Sequence, residues 1–198
     1  MCEAFVEIRQ CLHQTIDLMQ VLYGSGRGSG GGQGSGCCLK GPWLQDGAEK
    51  LEEDLWNLEY SAQKAVVIEQ ARIIWDLAVR RKIPTRWFTR THRPVTVLLT
   101  AICERAGALT PRILNAEWGE DDFGRVTCTV GRLAWAPLRM ADAREPGALL
   151  EALPGLFSVE GGCCVVCDWR LEERELCAAR ELMAESELSF VFPGDAGD

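Results

Sequence analysis

The sequence predicts an α+β domain, with N-terminal helices that include one long buried central helix, then a small, mostly antiparallel sheet with one or two covering helices. Three observations carry this. Apolar residues recur at helical spacing through the first half. Alternating, Val- and Thr-rich segments begin only after Gly124. Strands therefore follow helices instead of interleaving with them, which favours α+β over a doubly wound sheet.

The elements follow in chain order. Glu3–Tyr23 places Phe5, Ile8, Cys11, Leu12, Ile16, Met19 and Leu22 on one helical face, with Glu7, Gln10, Gln14, Asp17 and Gln20 on the other. An isolated helix of that length is marginal in water, so its apolar face must dock. It is either the first core helix of the domain or an exchangeable interaction helix that docks on the domain or in a partner. Residues 24–36 read Gly-Ser-Gly-Arg-Gly-Ser-Gly-Gly-Gly-Gln-Gly-Ser-Gly. Nothing there buries apolar surface, so the composition is that of a flexible tether spanning about 20 Å on average. It fits a natural low-complexity loop or an engineered linker. Gly26-X-Gly28-X-X-Gly31 matches a dinucleotide fingerprint by letter. No helix opens after it and no Gly-Lys-Ser/Thr occurs, so the match carries no phosphate site.

Domain organisation is thus an amphipathic helix (1–23), the tether (24–36), a single α+β domain (37–193) and an acidic tail (194–198). Asp46 and Glu49 form a capping-box signal for a helix running to Lys82. Leu51, Leu55, Leu58 and Ala62 make its first half amphipathic, and Ala65–Val79 is apolar almost all round, which predicts burial on most sides. A break near Ser61 would relieve a span above about 50 Å, and Pro84 ends the run. Pro94 opens a buried helix over Val95–Arg105 that Gly107 closes. Thr110-Pro111 starts another short helical piece.

In the second half, Arg125–Val130 and Arg132–Leu138 read as strands. Ala148–Leu153 is a short helix, Phe157–Val159 with Cys163–Trp169 a hairpin, Leu171–Glu185 a helix and Leu188–Phe192 a final strand. The long helix and the string His92-Arg93-Pro94-Val95 resemble HORMA-type adaptor domains over a small part of the chain. That family has strands where this sequence continues in helix, and no residue role is carried over.

Composition narrows the function classes. The 198 residues have apolar and charged fractions near the globular average and a net charge of −8. That balance opposes a general nucleic-acid coat or bulk attraction to acidic membranes. No apolar run approaches the roughly 18 residues of a membrane span, and the first residues lack a basic leader pattern. Ten cysteines are many, but Cys11, Cys103, Cys128, Cys163, Cys164 and Cys167 sit in apolar runs, as reduced thiols used for packing do. A reducing compartment follows, cytoplasm or nucleus.

Little else carries chemistry. Cys164-X-X-Cys167, with Cys163 and Cys177 nearby, lacks a second pair or a histidine to complete a zinc set, and strand alternation sends Cys164 away from Cys163 and Cys167. Of two histidines, His13 lies on a polar helix side and His92 in a basic segment. Glu117, Glu120, Asp121 and Asp122 lack calcium-loop spacing. No catalytic residue, metal ligand or cofactor is assigned.

The informative feature is Arg80–Arg93. No acid occurs between Asp76 and Glu104, a local inversion of the overall charge. Arg80, Arg81, Lys82, Arg86, Trp87, Phe88, Arg90 and Arg93 interleave cations with aromatics. Such a segment meets the protein's own acids, such as Glu117–Asp122, an acidic partner, or a nucleic acid. Trp43, Trp87, Trp118 and Trp135 are candidates for interface anchors or for core. The reading is a non-catalytic protein–protein interaction subunit or adaptor of an intracellular complex. The alternative is a nucleic-acid-binding module using Arg80–Arg93.

Overall fold

A computed structural model of the chain describes residues 6–13, 15–16, 48–108, 110–115, 117, 119–156 and 162–193. The tether, Asp46 of the capping box, Trp43, Trp118, residues 157–161 and the acidic tail lie outside the described residues. Strand β1 (Val6–Glu7) leads into helix α1 (residues 8–13 and 15–16). Helices α2 (Ala48–Glu59) and α3 (Gln63–Ile74) continue into a π-helical turn, Trp75–Arg80, and then strand β2 (Thr85–Thr89). Next come α4 (Pro94–Ala106), α5 (Thr110–Leu114), α6 (Glu120–Leu133) and β3 (Leu138–Asp142). Helix α7 (Ala148–Ala152), a 3₁₀ turn (Leu153–Leu156), β4 (Cys163–Cys167), α8 (Glu173–Glu185) and β5 (Leu188–Val191) complete the order.

The sheet corrects the expected fold class. Its order is β1-β3-β2-β4-β5, with β3, β2, β4 and β5 all parallel and β1 added antiparallel at the β3 edge. This is an α/β arrangement, not an α+β fold with a mostly antiparallel sheet. Helices α4 to α6 cross from β2 to β3 and pack with Trp87, Leu138 and Met140 on one face. Helices α7 and α8 pack with Phe88, Val165 and Cys167 on the other. The chain reverses its direction across the sheet after β3, and a constant crossover hand then requires the helices to change face.

Two misread segments explain the correction. Thr85–Thr89 is the central strand, buried at every position. A strand covered on both faces shows no alternation, and its arginine-rich flanks concealed it. Residues 125–130, expected as a strand, lie within α6. Val126, Thr129, Val130 and Leu133 are buried at helical spacing, so the packing of one face overrode the β-propensity of Val and Thr. Residues 132–137 accordingly form the end of α6 and a turn, with β3 starting at Leu138. Strand β4 pairs in parallel with β2 and β5, so the expected hairpin is not its mode of pairing among the described residues.

The expected long central helix is also divided. Tyr60–Ala62 separates α2 from α3, near the anticipated break. Helix α3 buries Val67, Gln70 and Ile74, whereas Ala65 is exposed and Val66, Ile68 and Ile73 are half-buried. It covers one face of the sheet and is not surrounded. By contrast, α4 is buried along nearly its whole length, with Pro94 at its start and Gly107 closing it at φ 68°. Ile8, Cys11 and Leu12 of α1 lie inside the same core as α2, α4 and β3. The thiols of Cys163 and Cys167 join one core and that of Cys164 the other, while Cys128 is exposed on α6.

Two substitutions test this packing. Leu12 is 2 % exposed, so Leu12→Ala is expected to cost about 2–5 kcal/mol, measured by urea unfolding. A cost near zero would show that α1 contributes nothing to the fold. Gly162 enters β4 at φ +83°, and a Cβ there would stand 2.8 Å from the Glu187 carbonyl oxygen. Gly162→Ala is expected to lower Tm, because both the conformation and the contact oppose a side chain.

Candidate functional site

A doubly wound sheet takes ligands outside the carboxyl ends of its strands, where adjacent crossovers diverge. Here that point lies between β2 and β4. Its loops are Arg90–Arg93 after β2 and Asp168–Leu171 after β4. Asp168, 1 % exposed, receives the Arg90 backbone N–H at 2.8 Å and the Thr91 hydroxyl at 2.9 Å. The Arg90 guanidinium lies 4.1 Å from the Trp169 ring centroid. It also donates to the Ala143 carbonyl at 3.2 Å and pairs with Glu175 and Glu172. Trp169 Nε1 donates to Glu175 Oε2 at 3.1 Å. From α3, Gln63 donates to the Asp168 carbonyl and Gln70 to that of Cys167, while Trp87 Nε1 donates to Gln70 at 3.2 Å.

The start of α4 is occupied as well. A helix N-terminus after a central strand is where an anion would bind. Asp54 of α2 stands there, accepting from Arg93 N–H at 3.3 Å and the Thr96 hydroxyl at 2.6 Å, and meeting His92 Nδ1 at 2.9 Å. The loop Arg90-Thr91-His92-Arg93 contains no glycine, so it lacks the residues that let a backbone wrap closely around phosphate.

The carboxyls differ in ionisation. Burial alone would raise the pKa of Asp54, but the bonds from His92 and Thr96, the His92 charge and the Arg93 N–H outweigh it and hold the pKa below its ordinary value. Glu175 is lowered in the same way: burial is overcome by the Glu172 N–H, Trp169 and Arg90. For Asp168 burial prevails over the bonds from Arg90 and Thr91, and its pKa is raised.

The basic segment is dispersed by the fold. Trp87 and Phe88 are each 1 % exposed and pack on opposite faces of the sheet, so neither offers a ring to a partner. Arg86 is buried and donates to the Thr85 carbonyl, Arg90 belongs to the crevice, and Arg93 is half-buried. Of the acids these arginines were expected to meet, Asp122 serves elsewhere: it caps α6 and pairs with Arg125 and Arg112.

Arg80, Arg81 and Lys82 remain on the surface. Arg80 and Arg81 share Asp76 at 3.7 and 4.0 Å, with side chains 70 % and 59 % exposed. Lys82, held at φ 58°, points Nζ to the Trp135 carbonyl at 3.4 Å. Trp135 is itself 74 % exposed, and the Arg9 guanidinium of α1 lies 4.8 Å from its ring centroid. Arg9 also donates to the Ala134 carbonyl at 3.1 Å. A shallow groove runs beside them, lined by Ile8, Ala136 and Pro137. These residues precede β2 and β3, so the patch lies at the end of the sheet opposite the crevice. Trp135 was a candidate anchor from its residue type, whereas Arg9 carried no signal in the sequence.

Comparison of the chain with protein-family models, curated proteins and solved structures finds no match, so the resemblance to HORMA-type adaptor domains gains no support. No helix among the described residues is long and apolar enough to cross a membrane. No cluster of His, Cys, Asp and Glu among them has the arrangement of a metal site.

The crevice gives a pH prediction. The folded pKa of Asp54 lies below its unfolded value, so its contribution is complete above the unfolded pKa and is lost as pH falls through the folded one. Asp168, with a raised pKa, acts in the opposite sense. Asp54→Asn is expected to lower stability at neutral pH by about 1–3 kcal/mol and to flatten the acid limb. Urea unfolding at neutral and acidic pH reads both, and an unchanged acid limb would remove Asp54 from the account.

Proposed function

We propose that this chain is a non-catalytic subunit that binds an acidic segment of another protein through Arg80, Arg81 and Lys82, together with Arg9 and Trp135. The observation that carries the reading is the placement of an exposed tryptophan among cations at one end of the sheet. An exposed aromatic held by a guanidinium is a rigid anchor, and flanking cations add steering toward an acidic partner. The opposite end, where this architecture takes substrates, is occupied by Asp54, Asp168 and Glu175, which supports binding over catalysis. Cys11, Cys103, Cys163, Cys164 and Cys167 are packed in the core, the use made of a reduced thiol, which supports a reducing compartment, cytoplasm or nucleus.

The test uses the full chain, a fluorescent Asp/Glu-rich peptide containing one aromatic residue, and a single-stranded DNA of equal charge. The peptide is expected to bind, to weaken with salt and to be lost in the triple variant Arg80→Glu, Arg81→Glu, Lys82→Glu. Tm should hardly change, because exposed pairs contribute about 0–1 kcal/mol. Tighter, equally salt-sensitive binding of the DNA would replace this reading with the nucleic-acid module. Binding of neither ligand would reject both.

A further inference from the structure

A second cleft lies between α3 and α4 and shares no lining residue with the groove beside Trp135. Its floor is Trp87, Leu98 and Leu138, and two small residues, Ala71 on α3 and Ala101 on α4, leave the space open. The cleft has a volume of about 180 Å³. Protein interiors contain few voids larger than a water molecule. Apolar cavities of comparable size stay dry and accept a single aromatic ring. The floor offers water little, because the Trp87 N–H already donates to Gln70.

The mouth is polar. Arg72, Glu104 and Arg105 line it. The Arg105 guanidinium lies 4.7 Å from the Trp75 ring centroid, and Arg72 is 3.5 Å from Glu69 with both side chains mostly exposed. Arg72 is matched by Glu69, whereas the Arg105 guanidinium rests on the Trp75 ring with no ion pair among the described residues, so Arg105 is the group that favours an acid at the opening. We propose that this cleft binds a small molecule with one aromatic ring and one carboxylate, the ring between Ala71 and Ala101 and the carboxylate at Arg105. This site is independent of the acidic-partner patch.

The experiment uses phenylacetate and indole-3-acetate as probes and toluene as the neutral control, on the full chain. Ligand-observed NMR and thermal shift are the readouts. At least one acid is expected to bind and raise Tm, and to bind better than toluene. Ala101→Leu fills the cleft and is expected to weaken binding by about tenfold or more without lowering Tm. Arg105→Gln is expected to reduce the preference for the acid over toluene. Should Ala101→Leu fail to fold, Ala71→Val narrows the same space from the other helix. The proposal is overturned if neither acid binds at saturating concentration, if the filled variant binds as well as the parent chain, or if toluene equals the acids.

Discussion

The fold is organised around the exit of β2 from the sheet. Arg90 sits where three strands end: its own, that of β3 through the Ala143 carbonyl, and that of β4 through Asp168. Its guanidinium also reaches Glu172 and Glu175 at the start of α8 and stacks on Trp169. The Arg90 side chain is 22 % exposed, so it keeps part of its hydration while these partners match its other donors. The Arg90 side chain thus ties the end of β3 to the entry of α8, its backbone N–H ties β2 to Asp168 beyond β4, and Asp54 holds the entry to α4. Gln63 and Gln70 fasten α3 to the same place through main-chain carbonyls, so the helix layer is held in register with the strand ends.

This knot also decides what the sheet end can do. In a doubly wound sheet, open space at the crossover divergence is normally filled by a ligand that supplies the negative charge the helix N-terminus prefers. In this chain the carboxylates of Asp54 and Asp168 supply it. The structure exchanges a ligand-dependent contact for a permanent one. The opposite end of the sheet carries its cations outward, on the turn before β2 and on the exposed side of α1.

Some of this was legible in residues and some was not. Helix α4 was readable because proline, a continuous apolar run and a left-handed glycine all agreed. Helix α8 and strand β5 were readable for similar reasons, each bounded by polar residues. Strand β2 was not, because a strand buried on both faces loses its alternation and Arg86 supplies a charge where a buried strand should have none. Helix α6 failed in the other direction: Val126, Thr127, Thr129 and Val130 favour extended backbone locally, and only the tertiary pattern of burial reveals the helix. One segment is a central strand that went unrecognised and the other a helix read as a strand, so together they turned an α/β order into an α+β one. The crevice was invisible for a further reason. Asp54, Arg90, Asp168 and Glu175 are far apart in sequence, and no local spacing links them.

The position of Arg9 has a consequence for recognition. It arrives from α1, on the far side of the glycine-rich tract, whereas Lys82 and Trp135 belong to the main body. The complete surface therefore exists only in molecules whose first helix is seated. If the proposed patch binds an acidic partner, its apparent affinity falls with the fraction of molecules in which α1 is not seated, and binding in turn favours the seated helix.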